Sequence, residues 1–318
     1  MTDTLSFTGE RFHPNLSGEM WAEHWHRYHF VLPLVTGKSV LDVASGEGYG
    51  SALMATVASS VNGVDVSSAA VAHAAHAYAD RKNLQFTEGS CAKLPFPGAS
   101  FDVVVSFETI EHIVEQAAFL DEIKRVLKPS GSLIISSPNR IEYSDKRGYK
   151  NEFHVKELDR AELAELVDSR FKHARWFSQR NAFVSLIVPD AGSSQSASTS
   201  DGETLTLSKD QPDTIALPPD ALYFLVVATS DDAAAERLTS RISVFADREE
   251  WAYNDYRNTY QANQHYAKRE VELVARCAEL EQQLAALKPG GTESPQAVSA
   301  PAKEKESWLT RLTKRLGS

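Results

Sequence analysis

The stretch SVLDVASGEGYGSALMA, residues 39–55, decides how this chain is read. A short apolar run ends in Asp42, glycines follow at positions 46, 48 and 50, and small residues continue beyond them. An apolar run of this length bounded by glycines reads as a buried strand, a turn and the start of a helix. Glycines in such a turn let the backbone bend sharply and let a ligand approach the main chain. The turn is therefore the first candidate for a binding site.

Outward from it the alternation continues. SVNGVDVS (60–67) reads as a second strand, AAVAHAAHAYADR (69–81) as a helix, LQFTEG (84–89) and FDVVVSFE (101–108) as strands, QAAFLDEIKRVL (116–127) as a helix and SLIISSP (132–138) as a strand. Continuous Val/Ile/Leu runs between amphipathic helices predict an α/β fold, a parallel sheet covered on both faces. Ligands of such sheets bind outside the carboxyl ends of the strands. Past a polar loop at 139–154, VKELDRAELAELVDSRF (155–171) reads as a helix, and AFVSLIVP (182–189) and ALYFLVVAT (221–229) as two further strands.

Residues 1–230 are thus expected to form the core domain, with the Ser-, Asp- and Thr-rich segment 190–216 as a disordered insertion. Residues 231–288 read as a helical extension in which Leu273, Cys277, Leu280, Leu284 and Leu287 alternate spacings of four and three, a short coiled-coil seam suited to a homo-oligomer. A flexible linker at 289–306 precedes a tail at 307–318, where Trp308, Leu309, Leu312 and Leu316 share a helical face while Arg311, Lys314 and Arg315 lie off it. A basic amphipathic end of this kind suits peripheral contact with an anionic inner membrane, or a protein partner.

The formal charge of −10 over 318 residues argues against a nucleic-acid partner, since phosphate contacts need clustered Lys and Arg. The two cysteines, Cys91 and Cys277, form neither a disulfide framework nor a metal-ligand spacing. The N-terminus shows no signal-peptide pattern, and no apolar run reaches the ~18 residues of a spanning helix. A cytoplasmic location is the expectation.

The glycine turn has two readings. A dinucleotide site also places a Gly-rich turn after a first strand and an acid, here Asp65, after the second. Its third fingerprint glycine would fall at position 51, however, where Ser51 stands, and Asp42 lies where it would repel a pyrophosphate. The order of motifs, LDVASGEGYG, VDVS, EGSCAKLPFPGASFDVVVSFETIEHI and FLDEIKRVLKPSGSLIISSPN, resembles the class I S-adenosylmethionine-dependent methyltransferases over about residues 10–230. The resemblance implies a Rossmann-like, seven-stranded, mostly parallel sheet and S-adenosylmethionine as cofactor. It implies cofactor contacts from Asp42, Ala44, Gly46 and Gly48 in the turn, Asp65 and Val66 after the second strand, the loop Ser90, Cys91 and Ala92, and Phe107. Ser90 stands where many relatives carry Asp, which weakens the expected adenine contact.

A sulfonium donor leaves the protein to align an acceptor and remove its proton. His112, in FETIEHI after the fourth strand, is the candidate base, because histidine is readily neutral near physiological pH. Glu108, Glu111 and His112, with the distant His154, also resemble the metal site of small-RNA 2′-O-methyltransferases, which implies a divalent cation as an alternative. The aromatic and histidine-rich segment 9–30 resembles a lid over the cofactor, with Tyr28 or Arg11 reaching its carboxylate or the substrate.

More narrowly, HRYHF, IISSPNR and NEFHVKEL resemble bacterial methyltransferases encoded with surface-polysaccharide glycosyltransferases. That resemblance implies O-methylation of a saccharide or glycolipid acceptor. A small-metabolite methyltransferase of quinone or polyketide type, and a cofactor-binding scaffold that recruits a glycosyltransferase, are the alternatives.

Overall fold

The computed structural model describes residues 18–182, 207–208, 211–215, 220–238, 243–245 and 251–286. The chain divides into two compact units, Met1–Asn254 and Asp255–Ser318.

The first unit is built on a seven-stranded sheet. In chain order its elements are α1 (Glu19–Val35), β1 (Ser39–Val43), α2 (Tyr49–Met54), β2 (Ser60–Asp65), α3 (Ser68–Ala77), β3 (Leu84–Glu88), β4 (Phe101–Ser106), α4 (Gln116–Val126), β5 (Leu127–Pro138), α5 (Arg160–Asp168), β6 (His173–Gln179), the β7 (Leu207–Ser208) and β8 (Gln211–Ile215) hairpin, β9 (Tyr223–Thr229) and α6 (Asp232–Glu236). The strands lie in the order β3-β2-β1-β4-β5-β9-β6, parallel from β3 to β5, with β9 antiparallel to both of its neighbours. This is the Rossmann-like architecture expected. From β1 the chain first builds outward to β3 and then crosses back to place β4 on the other side. The carboxyl ends of β1 and β4 are thus the topological switch point at which ligands bind.

Alternate strand residues enter two cores, because side chains of a strand point to opposite faces. Val40, Val103, Ile134 and Leu225 pack under α1 and α2 with Tyr28, Val31, Val35 and Met54. Leu41, Val104, Ile135 and Val226 pack under α4 and α5 with Phe119, Ile123, Leu163 and Val167. Burial on both faces explains the unbroken Val/Ile/Leu runs. α5 begins at a capping box, with Asp159 accepting from the Ala161 and Glu162 N–H groups while Glu162 accepts from the Asp159 N–H. That cap starts the helix later than the predicted residue 155.

Three expectations are corrected. The seventh strand is His173–Gln179, a half-buried edge strand whose weak apolar pattern hid it; 183–189, most of the segment read as that strand, lie outside the described residues. The expected insertion carries the β7–β8 hairpin, while the rest of it lies outside the described residues. The expected boundary at 230 falls instead at 254: Asp232 of α6 pairs with Lys172 and His173, which ties this helix to the first unit. The linker at 289–306 and the tail at 307–318 lie outside the described residues.

One long helix, α7 (Trp251–Ala286), carries the described part of the second unit, and its side chains from Asp255 to Leu284 are almost all exposed. No described helix is long and apolar enough to cross a membrane.

Candidate active site

The turn after β1 is held from two sides. Ala44, Gly46 and Gly48 all adopt positive φ, at 60°, 54° and 79°. The Asp65 carboxylate accepts the Gly46 N–H at 2.9 Å through one oxygen and the Ser67 N–H at 2.9 Å through the other, so the end of β2 clips the turn. Each carboxylate oxygen retains a second lone pair. Val66, the next residue, leaves a large apolar side chain 75% exposed at the strand end. A diol-accepting acid followed by an uncovered apolar surface fits a ribose and an aromatic base.

Asp42 is placed differently from the expectation. It is fully buried beneath the turn, where it accepts from Ser51 Oγ at 2.5 Å and from the Tyr28 hydroxyl at 3.3 Å. Burial pushes its pKa up to about 7, although the Ser51 and Tyr28 bonds pull the other way. Asp42 therefore joins β1 to α1 and α2 and presents nothing to the cleft. Two of the glycines serve packing as well: a Cβ at Gly48 would lie 2.5 Å from Phe86 Cζ, and one at Gly50 would lie 2.0 Å from Tyr28 Cζ. The Ser45 hydroxyl is buried without a hydrogen-bond partner. In the loop after β3, Ser90 is exposed and its Oγ accepts the Ala92 N–H at 3.2 Å, while Cys91 is half-buried and its thiol pKa is raised by burial.

The end of β4 forms the opposite wall. Phe107 is buried edge-on to the Tyr28 ring at 5.0 Å. Glu108 follows at φ 48°, a conformation that side chains rarely adopt and that gathers at functional sites. Its carboxylate accepts from Ser136 Oγ at 2.7 Å and lies 3.6 Å from the Arg27 guanidinium. Arg27 is fully enclosed, donates from Nε to Gln179 Oε1 at 2.6 Å and lies 4.5 Å over the Tyr223 ring. Beside it, burial lifts Glu23 to about 7 against the pull of Arg27. Sequence reasoning missed Arg27, Glu23 and Tyr223, whose signals are a charged pair within a helix and a tyrosine at the start of a late strand.

A single 3₁₀ turn, Ile110–His112, carries the next two groups. His112 Nδ1 lies 3.0 Å from the Phe153 carbonyl, which can only accept, so Nδ1 carries the hydrogen and Nε2 is the basic nitrogen. The partly exposed His112 ring meets that of His154 edge-on at 4.9 Å. His154 Nε2 faces the Asn151 amide at 3.0 Å, and its Nδ1 lies 2.6 Å from Glu157. The pattern gives His154 the same tautomer. Glu111 is fully buried with neither carboxylate oxygen hydrogen-bonded, and burial first, then the Glu108 charge, push its pKa well up.

Ligand atoms of Glu111, His112 and His154 fall within 4.8 Å of one another. Glu108, the fourth residue expected there, is turned to Ser136 and Arg27 and stands outside the cluster. Tyr28 is buried under the turn, so it cannot reach a substrate in this arrangement, and Arg11 lies outside the described residues.

A cavity of about 410 Å³ is lined by Asn139, Glu142, Lys146, Arg160, Trp176 and Phe224 among others, with the Arg160 guanidinium stacked 3.2 Å over the Trp176 ring.

Residues 41–135 match the family model described as a methyltransferase domain. A probable S-adenosylmethionine-dependent methyltransferase of Mycolicibacterium smegmatis is 42% identical over 175 residues, covering 53% of this chain and 66% of that protein. A demethylmenaquinone methyltransferase of Clavibacter sepedonicus is 34% identical over 101 residues, covering 32% and 41%. The chain thus spans under two thirds of the length of these relatives. Among solved structures, a protein of Pyrococcus horikoshii aligns over 70% of this chain and 99% of its own at 20% identity, with a TM-score of 0.49.

Proposed function

We propose, for a chain whose residues 41–135 match a methyltransferase-domain family, that the protein is an S-adenosylmethionine-dependent methyltransferase acting on a hydroxyl of a saccharide acceptor, free or lipid-linked. The observation that carries O-methylation is His112 just past β4, with Nδ1 tied to the Phe153 carbonyl and Nε2 3.9 Å from the buried Glu111 carboxylate. S-adenosylmethionine supplies an activated methyl group. The chain supplies the rest: Gly46 and its neighbours give close main-chain approach, Asp65 accepts from ribose hydroxyls, Val66 offers an apolar surface to adenine, and His112 Nε2 takes the proton from the acceptor hydroxyl.

The saccharide reading draws support from the cavity lined by residues that follow β5 and by β6. Its lining mixes the aromatic Trp176 and Phe224 with the charged Glu142, Lys146 and Arg160, groups of the kind that meet the C–H faces and hydroxyls of a sugar ring. The demethylmenaquinone relative motivates the competing acceptor, a quinone-type metabolite. The test is transfer of labelled methyl to separated pools of nucleotide sugars, membrane glycolipids and quinones, with wild type and His112→Ala compared. Label in a sugar-containing pool, lost in His112→Ala while cofactor binding is kept, is the expected result. Label in quinones alone would overturn the saccharide reading, and full turnover by His112→Ala would overturn the base.

A second reading rests on Glu111. Its unsatisfied buried oxygens and one ring nitrogen each from His112 and His154, all within 4.8 Å of one another, form a set that suits a divalent first-row cation. Both histidines place Nδ1 against an acceptor, as metal-bound imidazoles do. Such an ion would be held by Glu111, His112 and His154 and would lower the pKa of an acceptor hydroxyl.

A further inference from the structure

We infer that α7 pairs with α7 of a second copy of this chain as a parallel, in-register, two-stranded coiled coil. The 4-3 spacing places Leu273 and Leu280 at d positions and Cys277 and Leu284 at a positions of a heptad. All four are exposed, with Leu273 at 52%, Leu280 at 42% and Leu284 at 63%. A helix of 36 residues keeping such a stripe in water gains nothing from packing, which is where most helical stability comes from. A second identical stripe supplies that packing.

The register is set by charge. In a parallel pair, each g residue faces the e residue five positions later on the other helix. Arg276 occupies g and Glu281 occupies e, so the parallel arrangement brings two Arg276–Glu281 pairs across the seam. An antiparallel arrangement centred on the same leucines sets Arg276 against Gln283 and Glu281 against Val274, and gains no ion pair. Continuing the heptad upstream places Asn263 at an a position, where a single polar residue favours one register and two strands. Glu270, also at a, faces its own copy and opposes association.

This seam predicts its own cross-link. Cys277 residues at facing a positions approach within disulfide reach, since bridged Cα atoms lie about 4.4–6.8 Å apart. The test uses the full chain. Light scattering over a range of concentrations should give twice the chain mass, Leu280→Lys should return one chain mass, and Glu270→Leu should lower the dimerisation concentration several-fold. Mild oxidation should link the dimer in Cys91→Ser and not in Cys277→Ser. A single chain mass at every concentration, a three-chain mass, or a dimer indifferent to Leu280→Lys would overturn the pairing. A dimer that Cys277 cannot link would overturn the parallel register.

Discussion

Replacing Asp42 with Asn should make the protein more stable toward neutral pH and leave cofactor binding nearly unchanged. Asp42 is fully buried and its folded pKa is about 7, against 3.8 for the free side chain. A carboxyl whose folded pKa is raised favours the folded state fully below its unfolded pKa. That contribution is lost as pH rises toward the folded value, because the unfolded chain ionises first. Between pH 5 and 8 the two pKa values imply a loss of about 2–3 kcal/mol from this one group. Asn has the same shape, can still accept from Ser51 through its oxygen, and does not titrate. Urea unfolding of wild type and Asp42→Asn at pH 5, 6, 7 and 8, followed by tryptophan fluorescence, reads the difference directly. The variant should gain on wild type by about 2–3 kcal/mol across that range. Parallel curves would refute the reasoning, since they would mean that Asp42 titrates alike in both states. A large loss of cofactor affinity would show instead that the carboxylate reaches the ligand.

Two further outcomes test the packing and the histidine cluster. Gly50→Ala should destabilise the fold by about 1–3 kcal/mol, the usual effect of overpacking, because its Cβ would lie 2.0 Å from Tyr28 Cζ; adding Tyr28→Leu should recover part of the loss, and strictly additive effects would count against the clash. On the cation reading, elemental analysis of purified protein should find about one divalent metal per chain that Glu111→Gln loses; a metal-free wild type with undiminished turnover would remove that reading.

The candidate site was legible in part. Asp65, Val66, His112 and the glycine turn occupy the strand ends that their motifs predicted, because each lies within a few residues of a strand terminus and the parallel order fixes where those termini point. The pairing of Glu111 and His112 with His154 was proposed from a resemblance, since a separation of over 40 residues carries no geometric information by itself. Glu108 shows the limit of spacing: its positive φ turns the side chain to Ser136 and Arg27. Arg27 could not be recognised as a buried partner, because only the docking of α1 on the sheet brings it against Glu108, Gln179 and Tyr223.

What the sequence determined by itself was local and periodic: unbroken apolar runs specify strands buried on two faces, glycines specify the turn, and the heptad marks α7. The tertiary structure decided the rest. Asp42 became an anchor beneath the turn and Glu111 a buried acid beside two imidazoles, because the burial and neighbours that set a carboxyl's pKa and reach are properties of the folded chain.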